Sequence, residues 1–183
     1  MGDEFGILMQ PDLIISEARK SDWRQLAGLY PAAFPDEDLL PLLKGLLNLP
    51  SGFFSVVAMN SDELVGHAGF TLCGVAEGDA VVGLVGPVAV SPHEQRQGVG
   101  SALMSVGMDA LARYGAAKAF VFGDPAYYHR FGFTAEKDVT TPCPIPPEWR
   151  EAWQSISLSN VETNLAGTLM VPRPWQVPTL WGA

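Results

Sequence analysis

The chain has 183 residues, 48% of them hydrophobic and 17% charged, with 11 basic and 20 acidic side chains for a formal charge of −9. That is enough apolar chain for one domain with a core, and the composition is that of a globular protein and not of a disordered one. The basic residues are scattered, which argues against nucleic acid as the main partner, and no apolar run approaches the roughly 20 residues of a membrane span. Cys73 and Cys143 stand far apart, and His67, His93 and His129 are dispersed. This pattern predicts neither a disulfide framework nor a metal site, and with no basic-then-apolar start it predicts a cytoplasmic protein. Residues 1–183 read as a single domain, with 1–11 as a poorly ordered lead-in.

In chain order, DLIISEA (12–18) reads as a strand, and Ser21 as the N-cap of a helix with the stripe Trp23, Leu26, Ala27 and Tyr30. A second helix follows in DEDLLPLLKGLLNL, broken or started by Pro41. The period then changes. FFSVVAM (53–59) and ELVGHAGFTL (63–72) flank the turn NSDE as a hairpin. VVGLVGPVAV (81–90) is a strand with a proline inside it; Pro87 offers no N–H, so a bulge or lost pairing is expected there. The loop SPHEQRQ leads into a helix over about 99–114 with the stripe Val99, Leu103, Val106 and Ala110, stopped by Gly115. KAFVF (118–122) is a buried strand, 141–150 a proline-rich loop, and LAGTLMV (165–171) a last strand. The order predicts an α/β fold with a mixed sheet, antiparallel first, and a central βαβ crossover.

Gly98 and Gly100 stand where that third helix begins, although glycine is about 1 kcal/mol worse than alanine inside a helix. No lysine follows them as a P-loop requires, and a dinucleotide fingerprint fails because its third glycine position is Leu103. Gln95, Gly98 and Gly100 do fill the pattern Q/R-x-x-G-x-G/A. Two explanations remain open at this point. Bare backbone N–H groups could receive an anion, or Gly98 makes a turn while Gly100 permits close packing.

VGPVAVSPHEQRQGVGSALM, followed by YHRFGF, resembles the GNAT superfamily of acyl-CoA-dependent N-acetyltransferases. The resemblance covers most of the chain. LIISEARKSDWRQLAGLY is similar to the family's first strand and helix, GHAGF to its third strand, and GDPAYYHRFGF to the strand–helix–strand after the motif. LAGTLMV with Pro172 and Trp175 is similar to the ending of a bacterial subgroup. The resemblance implies a GNAT-type mixed, largely antiparallel sheet with flanking helices, and acetyl-CoA as cosubstrate. It also implies a splay between the fourth and fifth family strands. The pantetheine would pair there with Val88, Ala89 and Val90, and the diphosphate would lie on N–H groups of Gln95, Arg96, Gln97, Gly98, Val99, Gly100 and Ser101, with the Arg96 side chain as a further contact.

The family chemistry is direct attack of an amine on the thioester. The resemblance assigns the Val90 N–H to the developing oxyanion. It assigns Tyr128, four residues before Gly132-Phe133, as the acid that reprotonates the thiolate, and leaves Tyr127 to packing. Family members often carry a glutamate on the fourth strand, and this one has none; His67 and Glu94 are the base candidates. Asp36, Glu37, Asp38, Trp149 and the 141–150 loop fall where the acceptor would bind, whether a small-molecule amine or a protein amine. A homodimer is compatible with the family. The alternative reading is a non-catalytic acyl-CoA-binding or sensing domain.

Overall fold

The structure, a computed structural model, describes residues 9–10, 12–160 and 163–182. Its elements are β1 (Met9–Gln10), β2 (Leu13–Glu17), α1 (Trp23–Ala33), α2 (Leu40–Leu47), β3 (Phe53–Asn60), β4 (Glu63–Val75) and β5 (Val82–Val90). There follow α3 (Val99–Arg113), β6 (Lys118–Phe122), α4 (Pro125–Tyr128), β7 (Thr134–Ala135), β8 (Val139–Thr140), β9 (Trp153–Ser157) and β10 (Gly167–Met170). Of the expected lead-in, residues 1–8 and 11 lie outside the described residues, while Met9–Gln10 pairs antiparallel with β2. The chain divides into two compact units. The first takes the described residues up to Phe70 and Pro87–Ala110; the second takes Thr71–Gly86 and Leu111 onward.

In the first unit β1, β2, β3 and β4 lie in sequence order, with β5 next to β4. β2 and β3 are antiparallel from Leu13↔Asn60 to Glu17↔Val56. Helix α1 buries Leu26, Leu29 and Tyr30 in one cluster with Leu43 of α2, Val57, Leu64 and Ala89. Its start differs from the expectation. Ser21 makes no cap; a 3-10 turn at Lys20–Asp22 precedes the helix, and the Asp22 carboxylate accepts the Arg19 N–H at 2.7 Å. Pro41 starts α2 and does not break it, because the first turn requires no proline N–H.

Helix α3 buries Val99, Leu103, Val106 and Ala110, the predicted stripe. Two glycines let it approach the strands. A Cβ on Gly66 would lie 2.8 Å from Val99 Cγ1, and one on Gly107 would overlap the Phe70 ring. Residues 64–70 of β4 are all buried, the run expected of a strand covered on both faces.

In the second unit β4, β5, β6, β9 and β7 lie in that order, with β10 on β4 and β8 on β10. β5 and β6 run parallel, Gly83↔Ala119 to Val85↔Val121, which makes β5–α3–β6 the crossover. β6 and β9 are antiparallel along their whole length. Phe120 stacks on Trp153, Trp153 meets Trp181 edge-on, and Trp181 lies beside Trp175. Glu136 is buried at the start of the β7–β8 loop. Its carboxylate accepts the N–H groups of Lys137, Asp138 and Val139, the Ser155 hydroxyl, and the Lys118 ammonium at 2.9 Å.

Candidate active site

β5 changes character at Gly86. Its register with β6 runs to Val85↔Val121 and ends there. Gly86 follows with φ +139°, a conformation open to glycine, and Pro87 follows with no N–H to donate. The ladder ends where the strand proline predicts lost pairing. Gly86 is also a close-contact position, since a Cβ would lie 3.3 Å from the Trp175 ring. That ring is held by its own N–H, which donates to Thr71 Oγ1 at 3.0 Å.

Beyond Pro87, in the first unit, the Ala89 side chain enters the cluster around Leu26 and Tyr30, while Val88 and Val90 are half-buried. The Ser91 N–H donates to Val65 O of β4 at 2.8 Å. Backbone groups of an extended chain alternate sides, so the N–H groups of Val88 and Val90 point to the edge away from that bond. The loop that follows is braced by its glutamines. Gln95 Nε2 donates to Val90 O at 3.2 Å and Gln97 Nε2 to His93 O at 2.8 Å.

Two residues of this loop are left-handed, Arg96 at φ +62° and Gly98 at φ +87°, and Gln97 between them is not. Such alternation turns successive N–H groups toward one side, the backbone geometry of a nest. Ala102 N donates to Gly98 O at 3.0 Å and opens the helical ladder, so the N–H groups of Val99, Gly100 and Ser101 lie ahead of it without intrahelical partners. The two glycines therefore have different reasons to be there. Gly98 is needed for its positive φ. Gly100 has no positive φ, and backbone conformation does not explain it.

Tyr128 lies in the second unit, on α4. Asp124 caps that short helix through Oδ1, which accepts the Ala126 N–H at 2.9 Å. Gly123 makes room for the tyrosine ring, since a Cβ there would come within 2.5 Å of it. Phe133 meets the ring edge-on at 5.8 Å and Tyr127 at 4.9 Å. Burial, then Tyr127 and Asp124, push the Tyr128 pKa above its ordinary value, so the phenol stays protonated through neutral pH. Tyr127 is engaged elsewhere. Its ring lies under the Arg130 guanidinium at 4.8 Å, and its carbonyl accepts Arg130 Nε at 3.0 Å.

Residues 16–133 match the family model described as the acetyltransferase (GNAT) family. The chain belongs to the GNAT acetyltransferase family. It is 30% identical over 163 residues to the uncharacterized N-acetyltransferase YjhQ of Escherichia coli strain K12, covering 86% of this chain and 84% of that protein. Its fold is that of the E. coli GNAT N-acetyltransferase YhbS solved in complex with CoA, with a TM-score of 0.78, 22% identity and 97% of each chain covered. A GNAT acetyltransferase from Brucella melitensis, solved with acetyl-CoA, gives a TM-score of 0.71 at 22% identity over 88% of this chain and 97% of that one.

Within this GNAT fold, residues Val88 to Ser101 fall in the first unit and Tyr128 in the second. β5 carries no acidic residue. Of the two base candidates, Glu94 is partly exposed in a 3-10 turn, whereas His67 is wholly buried. Burial holds the His67 pKa down at about 3, so the ring is neutral at neutral pH and too weak a base to take a proton from an amine. Its Nδ1 lies 2.6 Å from the hydroxyl of Tyr30, which also donates to Pro87 O at 3.3 Å. The sequence placed Tyr30 only in an apolar stripe; its hydroxyl contact with a residue 37 positions away left no local signal. Asp36, Glu37 and Asp38 are exposed, as is Trp149, beside Phe122. Among the described residues no group of three His, Cys, Asp or Glu side chains is placed to hold a metal ion, and no helix is long and apolar enough to cross a membrane.

Proposed function

We propose that this GNAT protein transfers an acetyl group from acetyl-CoA to an amine, using the β5 backbone and the 95–101 loop as the acyl-CoA cradle. The observation that carries the reading is the pair of left-handed residues, Arg96 and Gly98, running into a helix start whose second residue is a glycine that conformation does not require. N–H groups turned to one side and freed of side chains suit a diphosphate, and the helix dipole favours its charge. The exposed Arg96 side chain adds a positive charge to the same loop. That YhbS and the Brucella protein were solved with CoA and acetyl-CoA supports the ligand.

Acetyl-CoA supplies the activated thioester. A neutral amine adds to its carbonyl carbon, and the Val90 N–H donates to the oxyanion. As the C–S bond breaks, Tyr128 gives its proton to the departing sulfur and regains one from solvent, while the new amide nitrogen releases a proton to water. A phenol kept neutral by burial holds the proton that this step requires. Tyr128→Phe is expected to lower kcat by about 10²–10⁴-fold with little change in acetyl-CoA affinity; an unchanged kcat removes Tyr128 from the acid role.

The first experiment is thermal unfolding with acetyl-CoA, with ATP and NAD as controls, followed by an amine panel read as release of the CoA thiol. At about 100 times Kd a ligand specific for the native state adds roughly 2.7 kcal/mol, a shift of about 5–10 °C for a chain of this size. No shift with acetyl-CoA defeats the reading. A shift without thiol release favours a second reading, a non-catalytic acyl-CoA-binding or sensing domain, which the absence of an acid on β5 supports.

A further inference from the structure

We propose that Tyr30 and His67 are positioning residues that aim the Val88 and Val90 N–H groups at the acyl thioester, acting through the carbonyl of Pro87. The inference rests on the assignment of β5 as the acyl-CoA strand. Both side chains are fully withdrawn from solvent, Tyr30 at 1% and His67 at 0% exposure. One hydroxyl hydrogen must serve two neighbours, His67 Nδ1 at 2.6 Å and Pro87 O at 3.3 Å. A carbonyl can only accept. Both contacts are hydrogen bonds only if His67 carries its proton on Nδ1 and donates to the Tyr30 oxygen, leaving Tyr30 to donate to Pro87 O.

That tautomer leaves Nε2 as a bare acceptor, and Nε2 is the buried side-chain atom without a partner among the described residues. The opposite tautomer would bury an N–H donor there and would leave the Tyr30 proton shared between two acceptors. Fold stability alone does not account for the pair, because an unmatched buried polar atom is destabilising and two apolar side chains of the same shape would avoid it.

What the pair does control is a peptide plane. The Pro87 C=O and the Val88 N–H belong to one rigid trans unit and point in opposite directions. A hydroxyl holding the oxygen therefore fixes the direction of the Val88 N–H, and alternation along the strand carries the same direction to Val90. Pro87 is where this restraint is needed. The β6 register has ended two residues earlier, and proline brings no N–H of its own to hold the strand. Tyr30 is fixed in turn by its place in the α1 cluster and by edge-on contact with the His67 ring at 5.6 Å.

The test compares wild type with Tyr30→Phe in thiol release from acetyl-CoA, using water or the best amine of the panel as acceptor. The diphosphate loop is untouched by this change, so KM for acetyl-CoA should move less than about threefold while kcat falls about tenfold, less than loss of an oxyanion donor itself. A lower melting temperature with kcat unchanged would show a merely structural pair and overturn the proposal. Independently, nitrogen-15 spectra of wild type should show His67 as the neutral Nδ1–H tautomer from pH 5 to pH 8. An Nε2–H tautomer, or titration near the ordinary value, overturns it even if the variant does not fold. If wild type neither binds acetyl-CoA nor releases thiol, the acyl-CoA assignment itself has failed, and this inference with it; a working wild type with an unaffected Tyr30→Phe sinks the inference alone.

Discussion

Two buried titratable side chains, Glu136 in one unit and His67 in the other, are treated in opposite ways. Glu136 accepts three backbone N–H groups, a hydroxyl and an ammonium. Burial works against its charge, but those donors outweigh it and hold the pKa at about 2. His67 has one partner for two ring nitrogens, and burial holds its pKa at about 3 with no opposing charge. The carboxylate is saturated and anchors the β7–β8 loop to β6 and β9. The imidazole is left half-satisfied, next to the strand proposed to hold the acyl group. A saturated buried charge stabilises a fold, whereas a half-satisfied buried ring weakens it and is better explained by what it orients.

The contrast can be broken most forcefully at the carboxylate. Glu136→Ala leaves Lys118 and three N–H groups facing a void, and should remove about 3 kcal/mol, roughly 6–12 °C of melting temperature. A loss below 1 °C by calorimetry would mean solvent replaces the carboxylate freely. The next effect is a pH dependence with a definite sign. The folded pKa of His67 lies below its ordinary 6.5, so its contribution is intact above that value and is lost as pH falls toward 3. Glu136 gives the same direction in a lower window, between its ordinary 4.5 and about 2. Between pH 7 and pH 5, then, the fall in stability belongs to His67, on the order of 2 kcal/mol. His67→Phe should flatten that window and Glu136→Ala should not; equal slopes in wild type and His67→Phe would refute the assignment. The smallest effect sharpens the picture of Glu136. Lys118→Met removes the half-buried cation but leaves the backbone donors and Ser155, and should cost only about 1 kcal/mol by thermal unfolding. A loss as large as that of Glu136→Ala would make the ion pair the dominant contact.

Much of the frame was legible because it is periodic. The hairpin read at 53–59 and 63–72, found at Phe53–Asn60 and Glu63–Val75, the α3 stripe and the stop at Gly115 follow from spacing and glycine chemistry. β9 was missed: in WQSIS the buried residues include Gln154 and Ser155, polar positions that break the apolar pattern and are satisfied by distant partners, Gln154 donating to Gly123 O and Ser155 to the Glu136 carboxylate. Ser21 was the wrong cap because Asp22, one residue on, reaches the Arg19 N–H from within a 3-10 turn. The loop glycines could be seen in the sequence, but their division of labour could not. Only the dihedral angles separate Gly98, which the turn requires, from Gly100, which it does not.

The sequence by itself determined the family, the order of the main elements and the loop on which a diphosphate is proposed to lie. These depend on local spacing, on proline's missing N–H and on glycine's missing side chain, properties a residue carries wherever it is placed. The tertiary structure decided that Tyr30 meets His67 and Pro87, that Trp175 lies against Gly86, and that Glu136 gathers donors from three stretches of chain. Each of those joins residues far apart in sequence. A hydrogen bond or a ring contact depends on distance in space, and the pattern of neighbours along the chain does not encode it.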